Sequence, residues 1–152
     1  MSRNTTTGKK YEKEIESLLE EYSDHDVKPQ ANVGLKRNGG KHYTDVLLNS
    51  SELISLKFQC VQGSVEEKVP FEFMKLQDAI DDYGYKSATI VLAGPDKAWK
   101  WKDYYLSDAF SSRMKLAYPN VRVISHNQFI QEYLYNDINL TESVNCDNGK
   151  SN

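Results

Sequence analysis

Asp45-Val46-Leu47-Leu48, the turn Asn49-Ser50-Ser51, and Leu53-Ile54-Ser55-Leu56-Lys57-Phe58-Gln59 decide the fold. They read as two strands of a hairpin. In the second strand Ile54, Leu56 and Phe58 alternate with Ser55, Lys57 and Gln59, and side chains two apart share a face. One face is apolar and suits a core, while the other gathers a hydroxyl, an ammonium and an amide. Asp45 opens the neighbouring strand within reach of that polar row. A carboxylate beside a lysine on adjacent strands is an arrangement that can hold a metal ion and a water molecule.

Outward from the hairpin, the chain alternates helical and extended patterns. Tyr11, Ile15, Leu18, Leu19 and Tyr22 recur at helical spacing over residues 9–23, with Thr6, Thr7 or Gly8 as cap. Residues 31–36 suit a strand, and Arg37-Asn38-Gly39-Gly40 carries turn chemistry before strands at 43–48 and 52–60. Residues 61–68 read as a polar loop. Pro70 then opens a helix whose apolar face is Phe73, Leu76, Ile80 and Tyr83, ending at Gly84. The β-branched run at 87–92 predicts a central strand, broken by Gly94-Pro95. A helix over 102–118, a strand over 121–124 and a helix over 127–135 follow. Beyond residue 139 the chain is polar and is expected to be disordered.

The order is helix, three strands, helix, strand, helix, strand, helix. Short connections make the first three strands an antiparallel meander, and the helical crossovers place the rest in a mixed sheet covered on both faces. The expected class is therefore α/β, as one domain over residues 1–138 with a tail at 139–152.

At 152 residues, with a 39% hydrophobic and 27% charged composition, the chain suits a soluble domain with a real core. It carries no apolar run of membrane-spanning length, and its polar start does not resemble a signal peptide. Cys60 and Cys146 offer neither a disulfide framework nor zinc spacing, which points to a reducing, cytoplasmic setting. The net charge is −3, so any polyanion surface must be local. Two basic clusters stand out. Lys28, Lys36, Arg37, Lys41 and His42 fall in an acid-free stretch, and Lys97, Lys100 and Lys102 interleave with Trp99 and Trp101.

These features together resemble the PD-(D/E)XK nuclease superfamily, the fold of many restriction endonucleases, some homing endonucleases and junction resolvases. The resemblance covers residues 8–135. It rests on the element order, on Asp45 and Lys57 on successive strands with Lys57 two residues after Ser55, and on Glu12 in the first helix after Gly8-Lys9-Lys10-Tyr11. The segment from Gly63 to Glu72 also resembles the sequence after the catalytic lysine in certain restriction enzymes. Two positions depart from the pattern. Thr44 stands in place of the proline, and Ser55 stands in place of the second acid. A subset of restriction enzymes carries the same serine, with a glutamate from the next helix supplying the missing carboxylate. Glu72 is the candidate here, ahead of Glu66 and Glu67.

The resemblance implies a restriction-endonuclease-like αβββαβ core and a magnesium-dependent DNA endonuclease, with manganese as a possible substitute. It implies Asp45, Glu12 and Glu72 as metal ligands, with Lys57 and Gln59 completing the catalytic set. Double-stranded DNA is the implied substrate, contacted by Lys36, Arg37, Asn38, Lys41, Lys97 and Lys100. Cutting both strands calls for a homodimer or homotetramer. A domain of this fold that binds DNA without cutting it is the rival, since Ser55 and the acidic balance both suit it. Each residue also has an ordinary role open to it: Asp45 as a turn cap, Lys57 as a solvated strand lysine, Glu12 on an exposed helix face, Glu72 at a helix N-terminus, and the tryptophans in packing.

Overall fold

The computed structural model describes residues 3–135 and residue 146, with side chains from Thr7 onward. Five strands form one sheet in the order β1-β2-β3-β4-β5: β1 (Val27–Leu35), β2 (Lys41–Leu48), β3 (Glu52–Phe58), β4 (Ser87–Ala93) and β5 (Val121–Ser125). The β1–β2 and β2–β3 pairs are antiparallel, and β3–β4 and β4–β5 are parallel. This is the expected mixed sheet. The short turns permit antiparallel neighbours, whereas α2 (Val69–Tyr83) and the pair α3 (Lys102–Tyr105) and α4 (Asp108–Ala117) carry the chain back for the parallel ones.

Two cores lie on the two faces, and the alternation in β3 divides them. Ile54, Leu56 and Phe58 pack with Tyr11, Ile15 and Leu19 of α1 (Arg3–Tyr22) and with Phe129 and Ile130 of α5 (His126–Tyr133). Leu53, Ile90 and Leu92 pack on the other face with Phe73 and Leu76 of α2, Tyr105 of α3 and Phe110 of α4. Most of β4 is buried on both sides, as its unbroken apolar run requires of a central parallel strand.

The hairpin positions everything that follows. Asn49 and Ser50 take positive φ values of 54° and 59°, the mirror-image turn whose twist suits a hairpin. Pairing of β2 with β3 then runs only from Leu48↔Glu52 to Val46↔Ile54. Past that point the strands fork, while the other edge of β3 stays paired with β4 from Glu52 to Phe58.

The structure corrects five expectations. β1 begins at Val27, because Pro29 and Gln30 fit within an edge strand despite their turn-like character. The helix expected over 102–118 is two helices, since Ser107 turns extended and caps α4 through Phe110 N at 3.2 Å. Residues 66–68 form a 3₁₀ turn rather than plain loop, with Glu66 buried. β3 stops at Phe58, so Gln59 falls outside the strand. Cys60 and Cys146 form a disulfide with Cα atoms 5.3 Å apart, across 86 residues that leave no local signal. That pairing removes the ground for expecting a reducing compartment. Apart from residue 146, the expected disordered tail lies outside the described residues. Among them no helix is long and apolar enough to cross a membrane.

Candidate active site at the strand fork

Asp45 fills the fork. With no ladder partner on β2, the amide of Leu56 donates to Asp45 Oδ2 at 2.7 Å, and the Thr44 hydroxyl donates to the carbonyl of Ile54 at 3.0 Å. Two side chains thus do the work of the missing backbone bonds. Burial raises the Asp45 carboxyl above its ordinary value, against the pull of the Leu56 amide and the Lys57 ammonium.

Lys57 projects from the face of β3 shared with Leu53, toward α2. Its Nζ lies 3.3 Å from Glu72 Oε1, and Lys75, one helical turn on, reaches the same oxygen at 3.3 Å. Burial alone would raise the Glu72 carboxyl, but the two ammonium groups hold it below the usual range. The Ser55 hydroxyl faces Glu72 closely enough to favour the charged form, yet makes no well-formed hydrogen bond. Glu72 therefore stands beside the serine that occupies the second-acid position.

Glu12 approaches from α1, on the opposite face. Its carboxyl is pushed up to about 7, by burial first and then by the charge of Asp45, with Lys9 ahead of Lys57 in opposing the rise. Gln30 donates to Glu12 Oε1 at 3.0 Å and also faces Asp45. Gln30 holds φ at +47°, a left-handed conformation uncommon for a non-glycine residue, which costs on the order of 1 kcal/mol. Outside the hairpin turn, the described non-glycine residue with a left-handed backbone is thus one that touches the carboxylates.

Of the five residues expected to carry chemistry, Asp45, Lys57 and Glu72 neighbour one another at the fork, while Glu12 is linked to them only through Gln30 and through charge. Gln59 does not act with them. Past the end of β3 its amide donates to Ala98 O at 2.7 Å and Glu66 Oε2 at 3.1 Å, and it is buried. Gly94 makes room for that turn of chain, since a Cβ there would lie 2.1 Å from Gln59 O. Glu66 is equally committed, accepting from the amides of Lys100 and Trp101 at 2.9 and 2.8 Å. Gln30, Lys75 and His42 are the site neighbours that sequence reasoning missed. Lys75 was findable three residues after Glu72; Gln30 and His42 carry no such signal.

The basic residues divide. Arg37 is exposed and bridges Asp78 at 3.3 Å and Asp82 at 3.4 Å, while Asn38 Oδ1 accepts from Gly40 N at 2.9 Å and closes its own turn. Lys41, Lys97 and Lys100 point to solvent, and Lys36 is half-buried. Trp99 is buried and donates to Ala93 O, whereas Trp101 remains half exposed.

No protein-family model, curated protein or solved structure matches this chain. Among the described residues, no group of three or more histidine, cysteine, aspartate or glutamate side chains is gathered as a metal cluster.

Proposed function

We propose that this protein is a magnesium-dependent DNA endonuclease of the restriction-endonuclease-like kind, working at the strand fork. The observation that carries the reading is the meeting of Asp45, Lys57 and Glu72 at the one place where β2 and β3 part, with Glu12 electrostatically coupled to Asp45 and Lys57.

The donor set fits a hard cation. Magnesium takes one or two carboxylates and keeps its waters, so a three-residue cluster is not required. Glu72 is already matched by two lysines, whereas Asp45 and Glu12 are both raised by burial, and the charge of Asp45 raises Glu12 further. A carboxylate pair short of positive charge is what a divalent ion would satisfy. Asp45 and Glu12 are the ligands in this reading, with Glu72 alongside. Bound there, the ion would lower the pKa of a water and polarise a phosphate oxygen.

The chain's own groups supply the rest. Lys57 offers a cation to the charge that grows on the phosphate during in-line attack by water. Glu72 fixes the lysine's position through the 3.3 Å contact, and the ammonium groups of Lys57 and Lys75 keep that carboxylate charged. One such site cuts one strand, so the reading includes a homodimer or homotetramer for double-strand cleavage.

The test is cleavage of high-complexity genomic DNA, which samples rare targets, with magnesium against EDTA. Wild type is expected to cut and Lys57→Ala is not. Binding without cutting by wild type would leave the rival, a DNA-binding module of the same fold.

A further inference from the structure

Beside the fork, between the β1–β2 turn and the first turns of α2, lies a cavity of about 280 Å³. Its wall is apolar at Leu35, Phe71 and Met74, and two of these are large hydrophobic side chains left in solvent, Leu35 at 53% and Phe71 at 56% exposed. Cations ring it. Lys75 Nζ sits 5.6 Å from the centre of the Phe71 ring, Lys36 and Arg37 lie at the rim, and the rim's one acid, Asp78, is already bridged by Arg37.

We propose, resting on the endonuclease reading, that this cavity is a nucleobase pocket that takes one unstacked base of a DNA strand against Phe71. A flat aromatic face in a concave apolar wall suits a base, since every base has a π-face to stack. The size admits one ring system and not a longer apolar segment. The surrounding cations match the phosphates on either side of that base. His42 forms part of the wall, and its Nε2 has no hydrogen-bond partner, a buried polar atom that a base edge would satisfy. The pocket also abuts the fork, because Lys75 lines the cavity and bridges Glu72. A base held there delivers its neighbouring phosphate toward Lys57.

Fluorescence anisotropy in EDTA, with the full chain, tests this without cleavage. The probes are a labelled 16-nucleotide mixed-sequence single strand and the same strand made abasic, with dAMP as competitor. Phe71→Ala should weaken binding of the ordinary strand roughly 5- to 150-fold, the span of one base–aromatic stack. Phe71→Trp should retain the affinity, and the abasic strand should bind wild type and Phe71→Ala alike. Phe71 is exposed, so the fold tolerates both changes, checked by an unchanged Tm. Equal affinity of wild type and Phe71→Ala for the ordinary strand overturns the proposal. So does an abasic strand bound by wild type as tightly as the ordinary one, or no strand binding at all. Displacement by dAMP at strand-like affinity would assign the pocket to free nucleotides and overturn the strand-binding role. Cleavage by wild type in magnesium is read separately: strand binding lost in Phe71→Ala without any cleavage sinks the endonuclease and keeps the pocket, and the converse sinks the pocket alone.

Discussion

The two ends of β3 use similar residues to opposite effect. At its start, Glu52 accepts from Tyr133 OH at 2.5 Å and Thr89 Oγ1 at 2.9 Å, while Arg122 donates to Thr89 at 3.2 Å, to Tyr133 at 3.0 Å and to Glu132 at 2.6 Å. Every charge there has partners of the right kind, and the network ties β3, β4, β5 and α5 together. At the other end burial raises the Asp45 carboxyl, Glu12 sits near 7, Gln30 is strained, and one acid takes two lysines. Polar residues placed for stability settle into closed networks. A cluster left electrostatically unsettled at a fork in the sheet is what the proposed metal and phosphate would settle.

Substitution at the fork should therefore cost activity rather than stability. Lys57→Ala and Asp45→Asn are each expected to lower the DNA cleavage rate by about 100-fold or more, the scale of removing one charge-stabilising group from a transition state. Thermal unfolding of Asp45→Asn should match or exceed wild type, because the substitution removes a buried carboxylate while leaving an oxygen for the Leu56 amide. A large fall in Tm with unchanged cleavage would reverse the assignment of the two ends.

Tyr133→Phe probes the closed end. It strips Glu52 of its shortest donor and Arg122 of an acceptor. A loss of about 1–2 kcal/mol is expected, read as a Tm lower by roughly 2–8 °C, with the cleavage rate unaltered.

The same contrast explains what could be read from sequence. Regular periodicity is a local signal, so the Ile54, Leu56, Phe58 alternation and the apolar run of β4 placed two strands and the faces they bury. Asp45, Lys57 and Glu72 were legible because each sits within a regular element, where spacing fixes direction. Gln59 was misjudged at the point where the element ended: one residue past β3, the pull of Glu66 and Ala98 outweighs alternation. Gln30 and His42 owe their places to an edge strand with a left-handed residue and a register shift between Asn32 and Leu35, neither of which announces itself in residue types. The Cys60–Cys146 pairing depends on the path of the whole chain.

The two ends should also respond oppositely to pH. Glu12 rises from 4.5 to about 7 on folding, so between those values the folded state binds more protons than the unfolded one, and stability falls as pH rises through that window. Glu132 is lowered by its bond from Arg122, so its contribution is present above the unfolded value and is lost as pH falls. Glu12→Gln should accordingly raise stability at pH 8 by about 1 kcal/mol after allowance for solvent screening, and leave it unchanged at pH 4. Calorimetric melts of both proteins at the two pH values check the sign. A gain that persists at pH 4 would mean the glutamate destabilises through its shape and not through its charge.

Arg37 gives the smallest effect and the finest test of the contrast. It faces Asp78 and Asp82 at 3.3 and 3.4 Å, an arrangement that on paper resembles Arg122 with Glu132, but its side chain is more exposed, 66% against 43%, and has no buried hydroxyl to organise it. Exposed pairs gain little because water screens them and holding two long side chains in place costs entropy. Arg37→Ala should move Tm by no more than about 1 °C at low salt, and the difference should vanish in high salt. A drop as large as that of Tyr133→Phe would mean that the β1–β2 turn is pinned to α2 as a structural clasp. A negligible one leaves Arg37 exchangeable between its two aspartates and an incoming phosphate, as a guanidinium at the rim of a strand-binding pocket must be.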